Sequence, residues 1–140
     1  MTGNTLSADD LALVEAARTL IRERYVENRH HIAAALRTRS GRIHVGLHLD
    51  TYVGRASVCA EAVAVGTAMA AGDRDIVAIV SVRHPRPRDP NQAIQVVSPC
   101  GICRELLTDF APECRVIVPR DGGLAAAAPG ELLPNKYFRM

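Results

Sequence analysis

Cys59-Ala60-Glu61-Ala62-Val63-Ala64-Val65-Gly66-Thr67-Ala68 and, further along, Ser98-Pro99-Cys100-Gly101-Ile102-Cys103-Arg104-Glu105-Leu106-Leu107 decide how this chain is read. Three thiols and one carboxylate fall at the spacing of a zinc hydrolytic site. Zinc in such a site takes three protein ligands and keeps the fourth tetrahedral position open, and soft thiolates suit it at about 2.3 Å. Cys59, Cys100 and Cys103 supply three ligands. The metal lowers the pKa of bound water from ~15.7 to roughly 7, so a nucleophile is available at neutral pH. A separate group must still move protons. Glu61, two residues beyond Cys59, shares the site without being a ligand and is suited to general acid–base work.

Four cysteines in 140 residues could instead form a disulfide framework or a closed structural zinc site. Hydrophobic residues make up 48% of the chain, enough for an ordinary core that needs no staples. Met1–Asp10 lacks the basic and apolar regions of a signal peptide, so a reducing cytoplasm is the expected location. A structural zinc site needs a fourth ligand. Cys114, the one spare thiol, lies just before an apolar run that reads as a strand, and is expected to be a free thiol.

A length of 140 residues predicts one domain, 1–140, and no composition break divides it. Net charge is only +2, aromatics are 4%, and no basic run is interleaved with them. That composition argues against a stacking platform for nucleic acid. No stretch approaches the ~20 apolar residues that span a bilayer. A small-molecule enzyme fits best.

Ser7 is positioned to cap a first helix running to about Glu27, with Leu11, Val14, Leu20 and Ile21 as its apolar stripe and Asp9 and Asp10 at its positive end. Extended segments over His31–Arg37 and Ile43–Leu49 are joined by a turn at Ser40-Gly41. Cys59–Ala71 reads as a second helix ended by Gly72, and its small residues suit close packing. Ile76–Val82 is a buried strand, Arg83–Asn91 a Pro- and Arg-rich solvated loop, Cys100–Phe110 a third helix and Arg115–Val118 another strand before a turn at Asp121-Gly122-Gly123. Helices alternating with buried strands predict an α/β fold, a mixed sheet covered on both faces. Both cysteine segments then open helices, whose positive ends lower thiol pKa.

At these residues the chain resembles the cytidine deaminase superfamily, and within it the blasticidin-S deaminases more than the cytidine enzymes. The C-x-E and P-C-x-x-C pair is the known zinc deaminase signature, and Glu131-Leu132-Leu133-Pro134 extends the likeness. The resemblance implies a three-layer αβα sandwich around a five-stranded mixed sheet, assembled as a homotetramer whose active sites borrow residues from neighbours. It implies zinc as cofactor, Glu61 as the catalytic proton carrier, and the Ala60 backbone N–H as donor to the substrate carbonyl.

Substrate recognition is where this chain departs from the cytidine enzymes. Their ribose-binding G-x-N-x-E motif is matched here by Gly46-Leu47-His48-Leu49-Asp50, so His48 and Asp50 stand where an amide and a longer acid would bind the sugar. The family's base-stacking aromatic falls near His30 or His31, making His30 a candidate substrate contact. Tyr137 and Phe138 follow Leu133-Pro134, where related enzymes send C-terminal aromatics over an active site, their own or a neighbour's. Three thiolates on a divalent ion leave one net negative charge. The usual compensating arginine positions hold Ala62 and Ile102, which leaves Arg104 and the helix dipoles as candidates.

The leading expectation is hydrolytic deamination of a cytosine-like nucleoside or nucleoside antibiotic. Its near rival is the same chemistry on a free amino-substituted base or related heterocycle, such as a purine, pterin or triazine. A non-catalytic zinc-stabilised binding domain is the rival from another class, and Glu61 argues against it, because a structural site has no use for an unligated acid.

Overall fold

The computed structural model describes residues 5–139, so the start of the Met1–Asp10 stretch lies outside the described residues. Helix α1 (Ala8–Arg24) opens on a capping box. Ser7 Oγ accepts from the Asp10 N–H at 3.1 Å, and the Asp10 carboxylate accepts from the Ser7 N–H at 2.9 Å. The helix ends three residues earlier than its periodicity predicts. Tyr25 leaves helical geometry at ψ 129, and the N–H groups of Arg29 and His30 both turn back to the Val26 carbonyl, with Asn28 left-handed at φ +65. That tight turn delivers His30 and His31 to the sheet.

Strands β1 (Ile32–Thr38) and β2 (Ile43–Leu47) form the expected hairpin through Gly41 at φ +91. Helix α2 (Ala60–Ala70) follows and stops before Gly72 at φ +74, the left-handed position that glycine adopts without a Cβ clash. Then come β3 (Ile76–Arg83), β4 (Gln95–Val97), α3 (Gly101–Phe110), β5 (Arg115–Arg120) and β6 (Gly123–Ala127). The sheet order is β2-β1-β3-β5-β6, with β3 and β5 parallel and the other pairs antiparallel. Short β4 pairs antiparallel with the far end of β3, at Ser81–Arg83, and adds a sixth strand to the implied five.

Side-chain alternation sorts the layers. Ala33 and Ala35 of β1, Val80 and Val82 of β3 and Ile117 of β5 face α1, where Leu13, Val14, Ala17 and Ile21 cover them. Ala34, Leu36, Ile79, Val116 and Val118 face the other way, onto Ala60, Ala64, Val65 and Ala68 of α2 and Leu107 of α3. The result is the expected three-layer αβα sandwich with a mixed sheet. Successive residues of β1 and β3 are buried because both faces of the sheet are covered.

Two elements escape the sequence patterns. A three-residue strand offers no alternation to detect, and β6 reads Gly-Leu-Ala-Ala-Ala, a composition poor in strand formers. It pairs because Asp121 (φ +52) and Gly122 (φ +78) make the doubly left-handed hairpin turn that folds it back on β5. The Arg83–Asn91 segment is solvated at Pro87, Arg88, Pro90 and Asn91 as expected, but it is docked at its base and braced internally. Asp89 accepts from the Arg86 N–H at 2.9 Å and from Arg83 at 3.3 Å, while Arg86 donates to Asn28 Oδ1 at 2.9 Å. Among the described residues no helix is long and apolar enough to cross a membrane.

Candidate active site

Cys59 is the N-cap of α2, Cys100 is the N-cap of α3, and Cys103 sits in the first turn of α3. Both helices lie on one face of the sheet, so their starts converge. The three Sγ atoms lie within 4.8 Å of one another, and Cys59 Sγ is 3.5 Å from Cys100 Sγ. A tetrahedral ion bound at about 2.3 Å from each sulfur requires S···S separations of roughly 3.8 Å. The donor set and its spacing therefore fit zinc.

The thiols respond unequally to their surroundings. Burial opposes ionisation of Cys100, but the backbone N–H groups of Cys103 and Ile102 and the Cys59 thiol outweigh it and lower its pKa. Burial raises Cys59, and its contact with Cys100 adds to the rise. Burial raises Cys103 most, with the charges of Glu61 and Cys59 in the same direction. The N–H groups at the start of α3 thus favour the thiolate at Cys100. Crowding anionic groups around one point makes each costly without a cation there. Cys114 stands apart, buried behind α3 with its thiol pushed up to about 12 by burial.

Beside the triad lies a cavity of about 100 Å³ lined by Ile32, His48, Cys59, Ala60, Glu61, Val97, Ser98 and Cys100. Glu61 is only 5% exposed and its carboxylate has no hydrogen-bond partner among the described residues. With no protein partner among them, that carboxylate is left to the cavity and to what binds there. Ala60, first residue of α2, has a backbone N–H in the helix's free first turn, pointing out of the hydrogen-bond ladder.

A family model describing the cytidine and deoxycytidylate deaminase zinc-binding region matches residues 7–118. The chain belongs to this deaminase family. It is 46% identical over 134 residues to the blasticidin-S deaminase of Bacillus cereus, covering 96% of each chain. It is 28% identical over 112 residues to a cytidine deaminase of Halalkalibacterium halodurans, covering 79% of each. Among solved structures, the cytidine deaminase of Burkholderia pseudomallei superposes with a TM-score of 0.73 at 27% identity, covering 94% of this chain and all of that one. The chain is accordingly a zinc-dependent deaminase, a hydrolase of C–N bonds.

Within this deaminase the expected site residues separate into three groups. Cys59, Cys100, Cys103, Glu61, Ala60 and His48 come together at the cavity. His30 and Asp50 flank it through His48. The His30 Nδ1 donates to the His48 carbonyl at 2.9 Å, and the Asp50 charge acts on the His48 ring. Burial lowers the pKa of His48, Asp50 and Glu61 oppose the shift, and His30 adds to it. Tyr137 and Phe138 lie elsewhere, 79% and 72% exposed, over α3 in a larger open depression of about 620 Å³ with Glu105, Asp109, Phe110, Lys136 and Arg139. That depression is bigger but carries no metal-ligand cluster, and its lysine is paired with Asp109. The thiol cluster and Glu61 lie at the small cavity instead.

Arg104 takes neither a thiolate nor a solvent role. Its Nε donates to the Pro99 carbonyl and its Nη1 to the Leu132 carbonyl, both at 2.9 Å, tying the Pro99–Cys103 turn to the 3-10 turn Pro129–Leu132. The walls formed by Ile32, Val97 and Ser98 carry no local sequence signal, and Gly46 also matters here, because a Cβ on it would meet the α2 backbone. A glycine at the head of the Gly46–Asp50 stretch was the available signal for the latter.

Proposed function

We propose that this deaminase removes the exocyclic amine from a cytosine-like nucleoside or nucleoside antibiotic, of the cytidine or blasticidin-S type, by hydrolysis with release of ammonia. One observation carries the reading. Three thiols, an unpaired buried glutamate and a free helix N–H meet at one cavity, in a chain 46% identical to a blasticidin-S deaminase across 96% of its length. Zinc held by Cys59, Cys100 and Cys103 supplies a Lewis acid and acidifies water at neutral pH.

Glu61 moves the protons. Its carboxylate takes one from the attacking water and delivers it to the ring nitrogen next to the amine-bearing carbon, then takes the second from the hydroxyl now on that carbon and passes it to the amine, which leaves as ammonia while the C–N bond breaks and the C–O bond becomes a carbonyl. The Ala60 N–H donates to the ring carbonyl and fixes the base's orientation. Ile32 and Val97 wall the ring and exclude bulk water. His48, Asp50 and His30 border the ring substituent, where an ordinary ribose lacks its usual amide and glutamate partners.

A cavity of about 100 Å³ is well below the ~300–1,000 Å³ of sites that enclose a drug-sized ligand, so it takes one ring and leaves the substituent at the mouth. The exposure of Tyr137 and Phe138 away from their own cavity suits a homotetramer in which a neighbour completes that mouth. Free cysteines suit a reducing cytoplasm, with residues 1–140 as one working domain.

The same small volume favours, as second reading, turnover of free amino-substituted heterocycles. Ammonia release measured for blasticidin S, cytidine, cytosine and purine, pterin and triazine amines tests both. Highest kcat/KM on a nucleoside-type substrate is expected. A free base that outruns every nucleoside establishes the second reading, and no ammonia from any of them refutes both.

A further inference from the structure

One backbone hydrogen bond decides what the His48 ring can do. The His31 N–H donates to His48 Nδ1 at 3.2 Å. A backbone N–H only donates, so Nδ1 carries the lone pair and the neutral ring bears its proton on Nε2. No second hydrogen bond engages this ring among the described residues, and His48 lines the cavity with Ala60 and Glu61. The nitrogen left for a ligand is a donor.

The surroundings hold this arrangement from several sides. The His48 N–H donates to the Ile32 carbonyl, and its own carbonyl accepts from His30, both at 2.9 Å. His31, 6% exposed, is fixed through its carbonyl by the His84 N–H at 2.8 Å and through its Nε2 by the Asn28 N–H at 2.8 Å. Its ring meets the edge of Tyr25, which stacks on His84 with centroids 3.8 Å apart. The docked excursion after β3 thus braces the residue that orients His48.

We propose that His48 determines specificity as a fixed Nε2–H donor, with His31 as its positioning residue, and selects substrates whose ring substituent turns an acceptor oxygen toward it. The proposal rests on the deaminase reading and names the part of the substrate that is read. An amide side chain offers both a donor and an acceptor and tolerates either partner. The fixed imidazole offers a donor alone. An alkyl substituent leaves that N–H unpaired, and a donor-only substituent sets two N–H groups against each other.

Two measurements on the zinc-loaded full chain test this. Nitrogen-15 NMR of histidine-labelled protein reads the tautomer directly, and Nδ1 of His48 is expected to be unprotonated with Nε2 protonated. The opposite tautomer, or an averaging ring, overturns the proposal whichever variants fold. The second measurement compares 1-(methoxymethyl)cytosine with 1-propylcytosine, which differ by an ether oxygen in place of a methylene. The wild type should favour the ether about 10-fold or more in kcat/KM, expressed in KM. His48→Leu should reduce that preference to within about twofold, and His48→Gln, which restores an N–H at similar reach, should recover most of it. An equal preference in wild type and His48→Leu, with turnover intact, sinks this proposal alone. Absence of turnover on every cytosine derivative sinks the deaminase reading and this proposal with it.

Discussion

Gly46 of β2 lies so close to Ala64 of α2 that a Cβ on residue 46 would stand 2.5 Å from the Ala64 backbone nitrogen, and 2.6 Å from the Ala60 carbonyl oxygen. The glycine is needed for space, since its φ is not in the left-handed range. The same helix opens with Cys59, Ala60 and Glu61, and the same strand runs on to His48. The close approach of this strand and this helix therefore positions His48 relative to Ala60 and Glu61 at the small cavity.

Gly46→Ala should separate them. Backbone atoms on α2 cannot move aside as a flexible side chain would, so overpacking is expected to cost about 1–3 kcal/mol of stability. Urea unfolding should show it. Zinc content and kcat should fall together because the Cys59 end of α2 is displaced; unchanged stability and full zinc would show that the strand and helix adjust freely.

Removing one thiol tests the metal assignment. Cys100→Ala leaves two ligands for an ion that takes three from a catalytic site, so zinc should drop far below one per chain. Because bound metal stabilises the folded state, a chelator should lower the wild-type Tm and leave the variant's nearly unchanged. Near-stoichiometric zinc in the variant contradicts the assignment.

Glu61→Gln keeps the size of the side chain and removes its basicity. Zinc content and fold should persist, since the carboxylate is not one of the clustered metal donors. Turnover should fall by ~10²–10⁴-fold, the usual worth of general acid–base catalysis. Wild-type kcat at neutral pH would remove Glu61 from the proton path.

The candidate metal-binding thiols are legible in sequence because coordination is a matter of residue type and spacing, and two helix starts bring Cys59, Cys100 and Cys103 together. The layers are legible for a similar reason. Ala33 to Leu36 alternate between two covered faces, and Leu13, Val14, Ala17 and Ile21 make a helical stripe. What stays hidden is long-range. Neither the 3.2 Å bond from His31 to His48 nor the Arg104 staple to Leu132 follows from local pattern, because each joins segments that only the folded sheet brings together. Arg104 shows the difficulty plainly: its place beside the thiols suggests charge compensation, yet two carbonyls take its donors. The early end of α1 has the same origin, because the stacking of Tyr25 on His84 is invisible to helix periodicity.

The capping carboxylate of α1 provides a pH test away from the active site. Burial opposes ionisation of Asp10, but its hydrogen bonds and charge interaction with Arg115 and its bonds to Ser7 prevail and hold its pKa below the ordinary 3.8. For a carboxylate depressed in the folded state, the stabilisation is fully present above the unfolded value and is lost as pH falls through the lower folded one. Asp10→Asn removes the ionised cap and the Arg115 partner. It should cost about 1–2 kcal/mol at pH 7. The difference between the two proteins should stay constant from pH 7 to about 5, then shrink as the solution is acidified below 3.8. Paired urea titrations across that range measure it, and a gap that widens toward low pH would show that Asp10 is protonated in the folded protein.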